Sequence, residues 1–223
     1  MTHRTLRAPR PPIRLGAAAA TVVVLALLTG CGASLLPKPA LAPALYGLDD
    51  GAGVPARAAA PPGAPSLLVN LPRAAAGLDT RWMAYQRQPQ RIEYYTASEW
   101  LDTPARLLAP LLVRAIERSQ AFGVVLLAPA AANAQWRLDT EILRLQQNFG
   151  GGPSQVRLTL RAVLVDAQSR AVLASREFDA TVPAASDDAA GGAAAAQRAA
   201  LQLAQALADF CASATAAAAK PGG

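Results

Sequence analysis

Hydrophobic and polar positions divide this chain into segments with recognisable periods. Positions 156, 158, 160, 162 and 164 hold Val, Leu, Leu, Ala and Leu, while Gln155, Arg157, Thr159 and Arg161 fill the alternate places. A strict period of two places one face of a strand in a core and the other in water. In residues 136–149 the apolar positions are Trp136, Leu138 and Ile142, then Leu143, Leu145 and Phe149, so the parity changes after Ile142. One extra residue in the strand, a bulge, keeps both sets on the core side. Gly150-Gly151-Gly152-Pro153 then reverses the chain. Counting back from that loop sets Glu141 opposite Arg161, Ile142 near Leu160 and Leu138 near Leu164. Residues 166–170 form a turn, and residues 171–178 return as another strand.

Earlier in the chain, residues 82–87 (WMAYQR) and 91–96 (RIEYYT) flank a Gln88-Pro89-Gln90 turn and predict a hairpin. Trp82, Tyr85, Tyr94 and Tyr95 form a cross-strand aromatic group rather than a ligand site. Thr103 is placed as an N-cap, with Pro104 at the first helical position. Leu108, Leu111, Leu112, Ala115, Ile116 and Ser119 recur on one helical face, with Arg106, Arg114 and Arg118 elsewhere. Gly123 suits the helix exit, and residues 124–128 (VVLLA) predict a short buried strand ended by Pro129. Residues 43–49 and 66–71 add strand-like segments, the first a candidate edge strand. Residues 193–214 are alanine-rich and helical, with Leu203, Leu207, Phe210 and Cys211 as a narrow apolar stripe. The predicted fold class is α+β, a mostly antiparallel sheet with two helices packed on one face.

The first thirty residues stand apart. Arg4, Arg7, Arg10 and Arg14 precede an apolar run from Leu15 to Leu28 with no acid among them. A basic head, a short apolar run and small residues are the marks of a secretory signal. The run is shorter than the roughly 20 apolar residues a comfortable transmembrane helix needs. Leu28-Thr29-Gly30-Cys31 resembles the lipobox of bacterial lipoproteins. The resemblance implies a diacylglyceryl group on the Cys31 thiol, cleavage before Cys31, and acylation, palmitate included, of the new amine. The alternatives are an ordinary signal peptide with a chance cysteine, or a short membrane anchor. Several acyl chains give stable anchoring where one does not. Gly32 rather than Asp follows the cysteine, which by resemblance to enteric-type lipoproteins favours the periplasmic face of the outer membrane.

The expected organisation is therefore a signal peptide over residues 1–30, a lipidated N-terminus and flexible tether over 31–43, and one domain over 44–214. Residues 50–65 form a Gly/Ala/Pro-rich, disordered-like loop within that domain, and residues 215–223 form a frayed tail. Charge then changes meaning. The chain carries 21 basic and 15 acidic residues. Removing the four signal arginines leaves 17 against 15, a net charge of +2, with no dense basic run for nucleic acid. The only histidine, His3, leaves with the signal, and Cys211 is then the one cysteine not used by lipidation. Histidine triads, cysteine–histidine dyads and histidine-ligated zinc are excluded for the mature chain, and no metal or cofactor is expected. Asp187-Asp188 and Asp139/Glu141 are the notable carboxylate sets. The first is expected to be loop solvation and the second sheet-face charge, so no catalytic residue is assigned.

The order of hairpin, helix, four strands and helix after a lipidated cysteine resembles the ABC-type transport auxiliary lipoprotein family. That family includes the outer-membrane lipoprotein of the paraquat-inducible, MCE-type transport system. The carrying residues are those at 46–49, 83–85 and 92–95, then Trp100 with Pro104, Leu108 and Leu112. Phe122-Gly123-Val124-Val125 and residues 138–149 and 156–178 continue the likeness across 46–212; the loop at 50–65 departs from it. The resemblance implies a part in moving lipids or hydrophobic molecules across the envelope. Its partners would be a periplasmic MCE-domain protein, an inner-membrane permease and an ATPase. A homo-oligomer stays open. The chain has neither a Walker motif nor a second long apolar segment, so it is expected to be neither the ATPase nor the permease. The alternative is a periplasmic lipoprotein that regulates a cell-wall synthesis enzyme by binding it.

Overall fold

The computed structural model describes residues 41–49 and 60–218. The signal peptide, the lipobox at Leu28, Thr29, Gly30 and Cys31, and the tether as far as residue 40 lie outside the described residues. So do residues 50–59 of the long loop and the last five residues. No described helix is long and apolar enough to cross a membrane.

The fold is α+β. Nine strands among the described residues form one sheet: β1 (Ala44–Tyr46), β2 (Ser66–Val69), β3 (Arg73–Ala74), β4 (Trp82–Gln88), β5 (Arg91–Trp100), β6 (Val124–Leu127), β7 (Trp136–Asn148), β8 (Gln155–Asp166) and β9 (Val172–Pro183). Two helices, α1 (Pro104–Arg118) and α2 (Ala189–Ala218), pack on one side of it in a single core.

The long ladders β4–β5, β7–β8 and β8–β9 are antiparallel, so the sheet is mostly antiparallel. In β7–β8 the pairs Glu141–Arg161, Ile142–Leu160 and Leu138–Leu164 face each other as the alternation requires. The shift falls between Ile142 and Arg144. Leu143 is thus the extra residue and is only half-buried, while Ile142 and Leu145 both reach the core. The other edge of β7 is shared by three short parallel partners in turn: β2 along Trp136–Leu138, β3 at Glu141–Ile142 and β4 at Gln147–Asn148. β6 lies parallel outside β2, and β1 parallel outside β5.

Several local expectations change. Thr103 occupies the N-cap position of α1 but its side chain makes no capping bond; its own N–H is taken by the Asp102 carboxylate at 2.7 Å. Pro110 sits inside α1 on the exposed face, and the helix continues because Leu108, Leu111 and Leu112 remain packed. The left-handed residue after α1 is Gln120 (φ 57°), not Gly123. Gly123 is required instead by close approach, since a Cβ there would lie 2.7 Å from the Ala64 carbonyl oxygen. Strand β6 is an outer strand rather than a buried one: Val125 enters the core while Val124 and Leu127 are exposed.

Helix α2 starts at Ala189 and runs through Ala218, where the sequence suggested residues 193–214 and a frayed tail from 215. Its early start follows from Asp188, whose carboxylate accepts the Gly191 N–H at 2.8 Å as an N-cap. Its late end follows from burial of Thr215, whose hydroxyl donates to the Cys211 carbonyl at 2.9 Å. The stripe facing the core is also wider than the four larger side chains. Ala195, Ala196, Ala199, Ala200, Ala204 and Ala208 are buried too, and their small size lets the helix lie close on the sheet.

Candidate functional site

The β4–β5 hairpin gathers Trp82, Tyr85, Tyr94 and Tyr95 at one corner of the sheet, on its two opposite faces. On the helix side, the Tyr85 and Tyr95 rings lie 4.7 Å apart, and Phe149 meets Tyr85 edge-on at 5.8 Å. The Arg87 guanidinium stacks 5.0 Å above Tyr85 and 5.9 Å from Phe149. On the free side, Trp82 and Tyr94 lie 5.3 Å apart. The cross-strand aromatic reading holds, in two separate pairs.

Behind Tyr95 a chain of polar groups ties three elements together. The Tyr95 hydroxyl donates to Gln147 Oε1 at 2.9 Å, and Gln147 Nε2 donates to Ser154 Oγ at 2.8 Å. The Ser154 N–H then donates to the Asp187 carboxylate at 2.9 Å. Gly192 of α2 presses on Gln147 so closely that a Cβ would collide with Oε1. Burial pushes the Tyr95 phenol up to about 12, and the negative charge of Asp188 adds to the shift. The phenol is therefore a hydrogen-bond donor at neutral pH, not a base.

The carboxylates are structural. Asp187 and Asp188 are not merely solvated loop acids. Asp187 holds the Ser154 end of the β7–β8 connection, and hydrogen bonds from Ser154 lower its pKa. Asp188 caps α2, and bonds from the Gly191 N–H and the Ser186 hydroxyl lower its pKa. Asp139 and Glu141 carry sheet-face charge as expected. Asp139 pairs with Arg137 at 3.1 Å and accepts from Asn70 at 2.6 Å. Glu141 and Glu177 share Arg161, each at 3.7 Å. Asp179, which the sequence reading passed over, accepts from Arg157 at 2.8 Å and Thr159 at 2.6 Å, and both bonds lower its pKa. A carboxylate held ionised by such donors is poorly suited to general-acid work.

Cys211 is fully buried, and burial pushes its thiol up to about 12, as suits a core residue. Among the described residues there is no group of three or more Cys, His, Asp or Glu that could hold a metal ion. The described site residues thus form a folded scaffold with an aromatic, arginine-bearing corner. Only the order of aromatic residues in the hairpin signalled that corner. Leu45 lies in the segment 43–49 read as a candidate edge strand, but nothing in the sequence joined it, or Leu101, to this face.

The model of the family described as ABC-type transport auxiliary lipoprotein component matches residues 46–208. Among solved structures the chain is similar to protein XCC0632 from Xanthomonas campestris, at 23% identity and a TM-score of 0.68. That match covers 79% of this chain and 99% of the other. It is also similar to an uncharacterized protein at 13% identity and a TM-score of 0.60, covering 76% of this chain and 99% of that one. At these identities the two structures support the fold alone. No curated protein matches the chain. The family match takes in every long strand, helix α1 and most of α2, and on that ground the chain belongs to the ABC-type transport auxiliary lipoprotein family.

Proposed function

We propose that the protein is a non-catalytic docking component of an ABC/MCE-type transport system that moves lipids or other hydrophobic molecules across the envelope. It sits on the periplasmic face of the outer membrane, held by acyl chains on Cys31. Its direct partner is the periplasmic MCE-domain protein, through which it is coupled to the inner-membrane permease and ATPase. The observation that carries this reading is the family match over residues 46–208. The engagement of Asp139, Glu141, Asp179, Asp187 and Asp188 in ion pairs and caps is consistent with a scaffold rather than a catalyst.

The test is association of the purified mature chain with the MCE-domain protein of the same cell, without nucleotide, with a peptidoglycan synthase as the competing bait. Binding to the MCE protein alone is the expected result. Binding to the synthase alone, or to neither at high micromolar concentration, overturns the proposal.

A further inference from the structure

The free face of the β4–β5 corner carries an apolar patch that the core does not use. Trp82 is 56% exposed, whereas Trp100 and Trp136 are 4% and 8% exposed. Tyr94 stacks beside Trp82, and Ile92, also exposed, lies two residues before Tyr94 on the same strand face. Across the sheet, Glu99 pairs with Trp82 on one side and with Leu45 of β1 on the other, which puts Leu45 and Trp82 on the same face. Leu101 follows the buried Trp100, brings its Cδ2 within 4.0 Å of the Cβ position at Gly47 beside β1, and donates its N–H to the Tyr46 carbonyl. Leu45 and Leu101 are both exposed.

We propose that this patch rests on the phospholipid surface to which the chain is anchored, with the Trp82 indole in the headgroup region. The inference rests on the lipid-anchor reading of Cys31. Its position supports it: β1 is the first strand after the anchor, and Leu45 lies within it. Twelve residues, 32 to 43, separate Cys31 from Ala44. A chain of that length spans at most about 45 Å when fully extended. The tether thus holds this edge of the domain within reach of the bilayer.

The chemistry also fits. Tryptophan and tyrosine, apolar in body with a polar tip, favour the membrane–water interface. Two acids in and beside the patch are matched, Glu99 by Arg81 at 3.4 Å and Glu93 by Arg91 at 3.8 Å. Those pairs lower the charge presented to a surface rich in phosphatidylethanolamine. Away from this corner the free face carries ion pairs across β7, β8 and β9, with Val172 exposed at the start of β9.

The experiment uses the processed, lipidated chain in phosphatidylethanolamine–phosphatidylglycerol vesicles, with and without lipids brominated on their acyl chains. Trp82 is the exposed member of the three tryptophans, so bromolipid should quench one emission component and aqueous iodide should spare it. Trp82→Phe should remove that component while the chain still floats with the vesicles. Ile92→Gln with Leu45→Gln, in the presence of Trp82, should restore iodide access without loss of flotation. A chain that floats but whose Trp82 is quenched by iodide and not by bromolipid overturns the patch proposal and leaves the anchor intact. Shielding of Trp82 that appears only on adding a periplasmic protein overturns it in favour of a protein partner. A chain that fails to float overturns the anchor reading and this inference with it.

Discussion

Leu160→Ala tests the physical reading of the sheet most directly. Leu160 is 1% exposed, lies opposite Ile142 and Phe178 in the centre of the β7–β8–β9 ladder, and is covered by the helices. Its neighbours cannot collapse easily, because three paired strands fix their backbones. Truncation should therefore cost the lost transfer energy plus most of the cavity term, about 2–5 kcal/mol. One residue further along, Arg161 faces water on the opposite side of the sheet and meets Glu141 and Glu177 at 3.7 Å. That geometry is long and half-exposed, so a double-mutant cycle on Glu141 and Arg161 should give only about 0.2–1 kcal/mol. The assay is urea unfolding of a chain expressed from Gly32 onward, so that no lipid complicates the transition. The midpoint should fall sharply for Leu160→Ala and little for Glu141→Ala, with slopes unchanged. A loss below about 1 kcal/mol for Leu160→Ala, well under the range for a filled core site, would refute the reasoning. So would an ion-pair coupling as large as the core effect.

Three further outcomes follow from particular groups. Cys31→Ala should accumulate as unprocessed precursor, because lipid attachment and cleavage both use that thiol; normal processing with outer-membrane fractionation would reject the lipobox. Gly192→Ala should destabilise by about 1–3 kcal/mol through overpacking against Gln147, whose amide is held at both ends by Tyr95 and Ser154; a raised melting temperature would reject that account. The Tyr95 phenol, raised to about 12 in the fold, should contribute stability that is fully present below pH 10, where the unfolded phenol begins to ionise. That contribution is lost as pH rises from about 10 to 12. The stability difference between wild type and Tyr95→Phe should therefore shrink over that window, and a difference that stays flat would count against the burial of the hydroxyl.

The sequence by itself determined the parts of this protein that depend on local period. Alternation in residues 155–166 dictates which side of β8 is core, and the parity change after Ile142 demands a bulge. The Gly-rich loop then sets a register in which a one-residue slip would turn every leucine to water. Helix α1 was legible for the same reason, from one apolar face, and the order of such segments carried the family. Alternation names a face but not a neighbour, and that is where tertiary structure decided. β2, β3 and β4 each pair with only a few residues of β7, so no long pattern marks their parallel sharing of one edge. Asp187 and Asp188 read as loop acids because their partners, Ser154 and the Gly191 N–H, are defined only once α2 docks against the β7–β8 end. The helix outran its expected ends because Asp188 caps its start and burial of Cys211 and Thr215 anchors the turns near its end. Leu45, Trp82 and Leu101 became one surface only through pairing across Glu99 and the β1–β5 contact, joining residues far apart in the chain that nothing local connects.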